Sequence, residues 1–426
     1  MITTIFLLFA AFPVDIASDF VELREHPLTT EQNLTPSEQD AKGSMSDDYR
    51  VLTSTRNTMG LYNTINAEKT GHEIMNPTLL ELPRDSKHDF LVIAQASHVD
   101  KVIKGTKYRL ARQVAMFANL TYNDARHPEL TAGKWSKLLV QDFAGPEHHR
   151  KHRPDMDKYI GPEDMKLFWT RKGAPLLIFT YQVNDKRLCE GNFLIDARAA
   201  VPELVKALGE YAEQMPPIKF ERPAGLRRQA PAGHEADPQY QREKNWAPFQ
   251  SPFSKDDDGL FFMVEPSCLF RWTSTDEPVE EIDAERESVV EAPYPPGVKA
   301  EETWHSMERT CVHDVMMTDK HVYQSTPILS LTLCDRGICE PHEGNTVLLG
   351  MVQRRYNPPD YPYACYDNRI AAYAARPPYN MMSVSKKLIY HGEQYWKYIS
   401  TGSMVYFINQ TDAPYNRNHG FLDDEI

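Results

Sequence analysis

The chain has 426 residues, a formal net charge of −13, and hydrophobic and aromatic contents of 41% and 11%. The length fits two or three ordinary domains or one large all-β domain, and the apolar content excludes disorder of the whole chain. The acidic balance excludes a dedicated nucleic-acid binder, which needs clustered Lys and Arg; the one dense basic run, His148–Arg153, is flanked by acidic segments and reads as a solvated loop.

The first fourteen residues, MITTIFLLFAAFPV, are mostly apolar. They are too few to span a bilayer, which takes about 20 residues, and they suit a signal peptide or a signal-anchor remnant. Residues 15–68 are polar and without sustained period, the composition of a stem or linker. This layout predicts the secretory pathway, in the Golgi lumen or outside the cell, with membrane anchoring at the N-terminus if the apolar run is retained. The six cysteines include no CxxC pair, which argues against a zinc site. Cys334 and Cys339 stand close enough to bridge across a tight loop, while the wider connectivity stays open. Sequons at Asn33, Asn119 and Asn409 agree with a secreted glycoprotein.

From residue 69 onward, short apolar runs alternate with turn-forming residues. NPTLLELP (Asn76–Pro83) and FLVIAQAS (Phe90–Ser97) read as a strand–turn–strand pair. DMKLFWT (Asp164–Thr170) with PLLIFTYQV, and NWAPF with GLFFMVEP and CLFRWT, make the second and third. PILSLTLC (Pro327–Cys334) with NTVLLGMVQRRY makes a fourth; NRIAAYAA (Asn368–Ala375), SVSKKLIY and YISTGSMVYFIN make a fifth. Five such units over 69–426 predict an all-β chain folded as a five-bladed β-propeller, with an unusually large β-sandwich as the alternative. Asp196–Met215 breaks the pattern: Val201, Leu204, Leu208 and Tyr211 fall on one helical face, so an inserted helix is predicted there. Residues 222–242 and 274–297 read as exposed loops, and the last unit looks cut short at Ile426.

Three motifs carry a resemblance. GPEDMKLFW (Gly161–Trp169) resembles the GxEDPR motif of five-bladed propeller enzymes that act on mannosides: the mannoside phosphorylases and hydrolases and the related fungal-type β-mannosyltransferases. EKNWAPF followed by GLFFMVEP (Glu243–Pro266) resembles the same group's EKNWxPF segment, and HGFLDDEI (His419–Ile426) resembles a late strand of that group. The resemblance implies the propeller fold, a glycan substrate, and Asp164 as the acid or base. Met165 and Lys166 stand where the group has Pro and Arg. Lysine keeps the charge and loses the bidentate fork, which argues away from phosphorolysis.

Glycosyl transfer through an oxocarbenium-like state needs an acid or base near the glycosidic oxygen and charge stabilisation at the anomeric carbon. Paired carboxylates whose environments differ are the usual means. Asp164 is the first candidate, with Glu163 beside it; successive strand residues face opposite ways, so one of the two enters a central funnel. The competing reading is that Asp164 caps its turn. Lys244 suits an anionic leaving group, Asn245 sugar hydroxyls, and Trp246 a sugar face or the core; for Lys166 the resemblance implies contact with a substrate oxygen or phosphate. Asn76, His321 and Arg369 open inner strands of the first, fourth and fifth predicted units and so are candidate substrate contacts. Asp423, with Asp424 beside it, is the candidate second carboxylate, or both belong to a solvated terminus. No GxSxG elbow, P-loop, HExxH or helix-opening GxGxxG occurs. A weak DxD echo at Asp155–Asp157 leaves room for a divalent metal, but no cofactor is required. The expected function is a glycosyltransferase moving mannose from a nucleotide-sugar donor to a glycan or oligosaccharide acceptor. The alternatives are a hydrolase or phosphorylase of mannosides and a non-catalytic glycan-binding propeller.

Overall fold

The structure, a computed structural model, describes residues 5–6, 63–66, 74–103, 105–122, 128–140, 159–182, 190–228, 244–254, 259–264, 268–272, 288–291, 322–356, 365–377, 379–388, 402–406, 418–424 and 426. The fold is all-β, in sheets of seven, eight and six strands. Two short strands, β1 (Ile5–Phe6) and β2 (Asn63–Asn66), lie in the stretches read as leader and stem. They pair with each other, and β2 joins the first sheet. The first antiparallel meander is β3 (Ile74–Glu81), β4 (Phe90–Ile103), β5 (Thr106–Tyr122) and β6 (Pro128–Lys137). A short strand β7 (Tyr159–Ile160) lies parallel to β5 and leads into the second meander.

The second meander is β8 (Glu163–Trp169), β9 (Pro175–Gln182), β10 (Glu190–Asp196) and, after a helical stretch, β11 (Ala224–Arg228). The predicted single helix is instead three pieces, α1 (Ala197–Ala200), α2 (Glu203–Leu208) and α3 (Tyr211–Gln214). Proline cannot continue a helix from within and glycine ends one readily, and the breaks fall at Val201–Pro202 and at Gly209, whose φ is +59°. Asp196 caps α1 through the Arg198 amide and pairs with the Arg198 guanidinium at 2.7 Å, both side chains buried. Leu204, Ala207 and Leu208 bury the apolar face of α2.

The third meander is β12 (Ala247–Phe249), β13 (Phe261–Val264), β14 (Cys268–Trp272) and β15 (Ser288–Glu291), joined to the second by parallel pairing of β15 with β11. In the fourth, an interrupted first strand, β16 (Val322–Gln324) and β17 (Leu329–Thr332), is followed by β18 (Thr346–Tyr356), β19 (Cys365–Ala374) and β20 (Met381–Val384). This corrects the predicted fifth unit. NRIAAYAA is the third strand of the fourth meander, paired with β18 from Val347 to Tyr356, and SVSK begins within the fourth strand. Last comes β21 (His419–Phe421), parallel to β17.

Three of the cores are shared by two successive units. Leu80, Leu91 and Ile93 of the first pack with Met165, Leu167 and Phe179 of the second. Phe168, Ile178 and Leu194 pack with Trp246 and Phe262 of the third. Phe249 and Phe261 pack with Ile328, Val352 and Tyr373 of the fourth. Residues 402–406 then link the fourth unit back to the first. Met404 and Tyr406 join Leu329 and Leu331, Val405 packs on the core of the first meander, and Ser403 Oγ accepts from the Leu79 amide at 3.2 Å.

Cys334 and Cys339 form a disulfide that closes the β17–β18 turn, while Cys365 is a free thiol. No helix among the described residues is long and apolar enough to cross a membrane.

Candidate functional site

Glycine and proline come first in building the site. Gly161 has φ +102°, and a side chain there would collide with the Ala111 carbonyl oxygen of β5. That close approach lets Gln113 Nε2 donate to the Pro162 carbonyl at 2.8 Å. The start of β8 is thus held by the first unit.

Asp164 follows in left-handed backbone, φ +50°, where the β8–β9 register shifts between Glu163 and Lys166. Asn76 has φ +46° at the same kind of shift between Met75 and Thr78, and Asn245 has φ +61° directly before β12. Asp and Asn tolerate this conformation better than other non-glycine residues, and a bulge re-aims the side chain it carries. So three first strands each begin with an acidic or amide side chain on strained backbone, placed at one end of the strand.

The bulge brings distant residues together. Lys244 Nζ lies 2.9 Å from Asp164 Oδ2 and 3.8 Å from Glu163 Oε2. All three side chains are about a quarter to a third exposed (25–30%). Lys166 sits beneath them, 4% exposed. Burial lowers its pKa to about 8, helped by Lys244 and opposed by Asp164. Glu163, Thr180 and Asn192 stand in register across β8, β9 and β10, and Thr180 Oγ1 donates to Asn192 Oδ1 at 3.3 Å. The result is a polar mouth between the second and third units, with two carboxylates, two amines and a buried hydroxyl–amide pair. Gln113, Thr180 and Asn192 escaped the sequence reading. For the last two the available signal was a polar residue inside an otherwise apolar strand run.

Other candidates lie elsewhere. Trp246 is fully buried between Phe262 and Phe270, so it is core and not a sugar platform. Arg369 is on β19, a third strand, where it donates to the Ser385 carbonyl at 3.0 Å, and so does not open an inner strand. Asp423 Oδ1 accepts from the Arg336 amide at 2.9 Å, and buried Asp424 pairs with the Arg336 guanidinium and caps the Phe421 amide. These two carboxylates fasten the C-terminal turn beyond the end of β17. Asn418, just before it, donates to the carbonyl of Trp169, at the opposite end of β8 from Asp164. The structure therefore does not bring Asp423 or Asp424 to the Asp164 mouth; Glu163 is the carboxylate beside Asp164. His321 and Asp155–Asp157 lie outside the described residues. Among the described residues no group of three or more His, Cys, Asp or Glu is gathered for a metal ion.

The far end of the first strands holds a small recess lined by Trp169, Arg171, Gln250, Ser330 and Asn418 among others. Behind it His419 bonds Ser330 Oγ at 2.9 Å through Nδ1 and Thr332 Oγ1 at 2.8 Å through Nε2. Burial first, then Arg336 and Arg171, lower the pKa of His419 to about 4.

No protein-family model and no curated protein matches the chain.

Proposed function

We propose that the chain is a secretory-pathway glycosyltransferase. It would carry mannose from a nucleotide-sugar donor to a glycan acceptor, working from the mouth between the second and third units of a five-bladed ring. The observation that carries this is the Asp164–Lys244 ion pair with Lys166 beneath it. A carboxylate at this position would take the proton of an acceptor hydroxyl as the general base. Two amines beside it suit the charge that develops on a diphosphate leaving group. Asn76 and Asn245, on the same strained backbone as Asp164, would bind sugar hydroxyls as donor or acceptor. The linkage made by residues 402–406 between the fourth and first units supports the ring layout. The mannose donor rests on the motif resemblance.

Glu163 beside Asp164 favours a second reading, a mannoside hydrolase or phosphorylase, because two adjacent carboxylates can divide acid and base roles. Purified protein given GDP-mannose and a mannose-terminated glycan is expected to release GDP only with the acceptor present. Free mannose or mannose 1-phosphate from a mannoside, with no GDP release, would replace the first reading with the second. In either case Asp164→Asn is expected to lower turnover by about 10²–10⁴-fold while the circular-dichroism spectrum is kept. Glycan binding with no turnover in the unaltered chain would make it a binding propeller.

A further inference from the structure

Of the sequons, Asn33 and Asn409 lie outside the described residues, while Asn119 stands on β5 close to its C-terminal end, beside the turn that precedes β4. Side chains two apart on a strand share a face, so Phe117, Asn119 and Thr121 form a row. Asn119 and Thr121 are exposed, and Phe117 is half-buried against the core of the first and second units. The Asn119 amide oxygen is engaged: it accepts from the Asp89 backbone amide at 3.3 Å and meets His88 Nδ1, also at 3.3 Å. A backbone N–H only donates, so the atom facing Asp89 is oxygen and not nitrogen. Asp89 Oδ2 accepts in return from the Leu120 amide at 2.8 Å, and the His88 ring stacks on Phe117 with centroids 5.2 Å apart. The strand and turn therefore hold Asn119 by its oxygen, while its nitrogen makes no hydrogen bond and is left to the exposed face.

We propose that Asn119 is an N-glycosylation site whose glycan the native fold carries, beside the His88–Phe117 ring pair. The co-reactant is a polyprenyl-diphosphate-linked oligosaccharide. Asn119 Nδ2 bonds to C1 of its reducing-end N-acetylglucosamine. The bond from C1 to the diphosphate oxygen breaks, its electron pair leaving with the diphosphate, and Nδ2 gives up one proton. The products are the glycosylated amide, the polyprenyl diphosphate and that proton, with nothing oxidised or reduced. Thr121 supplies the hydroxyl that the sequon requires two residues on. Glycosylation spares the amide oxygen, so both of its bonds to the turn survive. The inference rests on the secretory-pathway reading, because this transfer takes place in a secretory lumen, and is independent of any glycosyl transfer by the chain itself.

The test translates the full chain in the presence of microsomal membranes, once with its own N-terminus and once behind an added cleavable signal peptide. Peptide N-glycosidase in heavy-oxygen water converts each occupied asparagine to labelled aspartate, and peptide mass spectrometry reads each sequon separately. Asn119 is expected to be labelled in most of the chains that carry the added signal peptide. Thr121→Ala should abolish that label, whereas Thr121→Ser should retain it. The glycosylated chain is expected to resist limited trypsin digestion as well as its deglycosylated form. Asn119 unlabelled behind the added signal peptide, or labelled only in trypsin-sensitive chains, would overturn the proposal. Label at Asn119 behind that peptide, with none when the chain keeps its own N-terminus, would uphold the site and remove the secretory reading instead.

Discussion

At the scale of residues, the site depends on backbone that ordinary side chains avoid. Gly161 is the sharpest case: its left-handed φ and its contact with the Ala111 carbonyl leave no space for a methyl group. Gly161→Ala is expected to destabilise the chain by about 2–4 kcal/mol in urea titration, and to lower turnover by displacing Asp164. His419 makes a pH prediction. Its folded pKa of about 4 lies below the ordinary histidine value of 6.5. The unfolded chain therefore binds the proton first, and the stability tied to neutral His419 is present above pH 6.5 and is lost as pH falls toward 4. The loss reaches up to about 3 kcal/mol. Thermal melts between pH 7 and 4.5 should fall more steeply for the unaltered chain than for His419→Gln. Asp164 and Asn245 were legible through the motifs that hold them and Asn76 through its place at the start of a strand, whereas the left-handed backbone all three share was not. Lys166 as a core-facing amine was not, since alternation names its face only once the strand's two neighbours are known.

At the scale of elements, the first four strand pairs were readable because their apolar runs are short, dense and bounded by turns. What the pattern could not convey was rank within a sheet. NRIAAYAA is as apolar as a first strand, and only its long pairing with β18 identifies it as a third. That error carried Arg369 with it. The C-terminal carboxylates were ambiguous for a different reason: a loop motif does not reveal its long-range partner, here Arg336 across 88 residues. Asp424→Ala leaves that guanidinium without its buried partner, and is expected to cost about 3–5 kcal/mol of stability in urea titration. It should leave the turnover of the folded fraction unchanged, which separates the fastening role from a catalytic one.

At the scale of the whole molecule, three of the cores are completed by the next unit in the chain, and the core of the first meander receives Val405 from near the end of it. Tyr406 sits at one such junction, fully buried, with its hydroxyl donating to the Ser330 carbonyl at 3.0 Å and its ring pressed on Gly420. Tyr406→Ala is expected to destabilise by about 3–5 kcal/mol, read as a lower denaturant midpoint with one transition rather than two. The same arrangement sets a schedule for biosynthesis. Thr78 and Leu79, in the first full strand to be made, meet Ser403 only after 324 or 325 further residues have been added. At ribosomal speeds of about 5–20 residues per second, that strand waits roughly 16–65 s for its last neighbour. Through that interval the contacts of Thr78 and Leu79 with Ser403 are unmade, so the closing of the first strand is a late event of synthesis and not an early one.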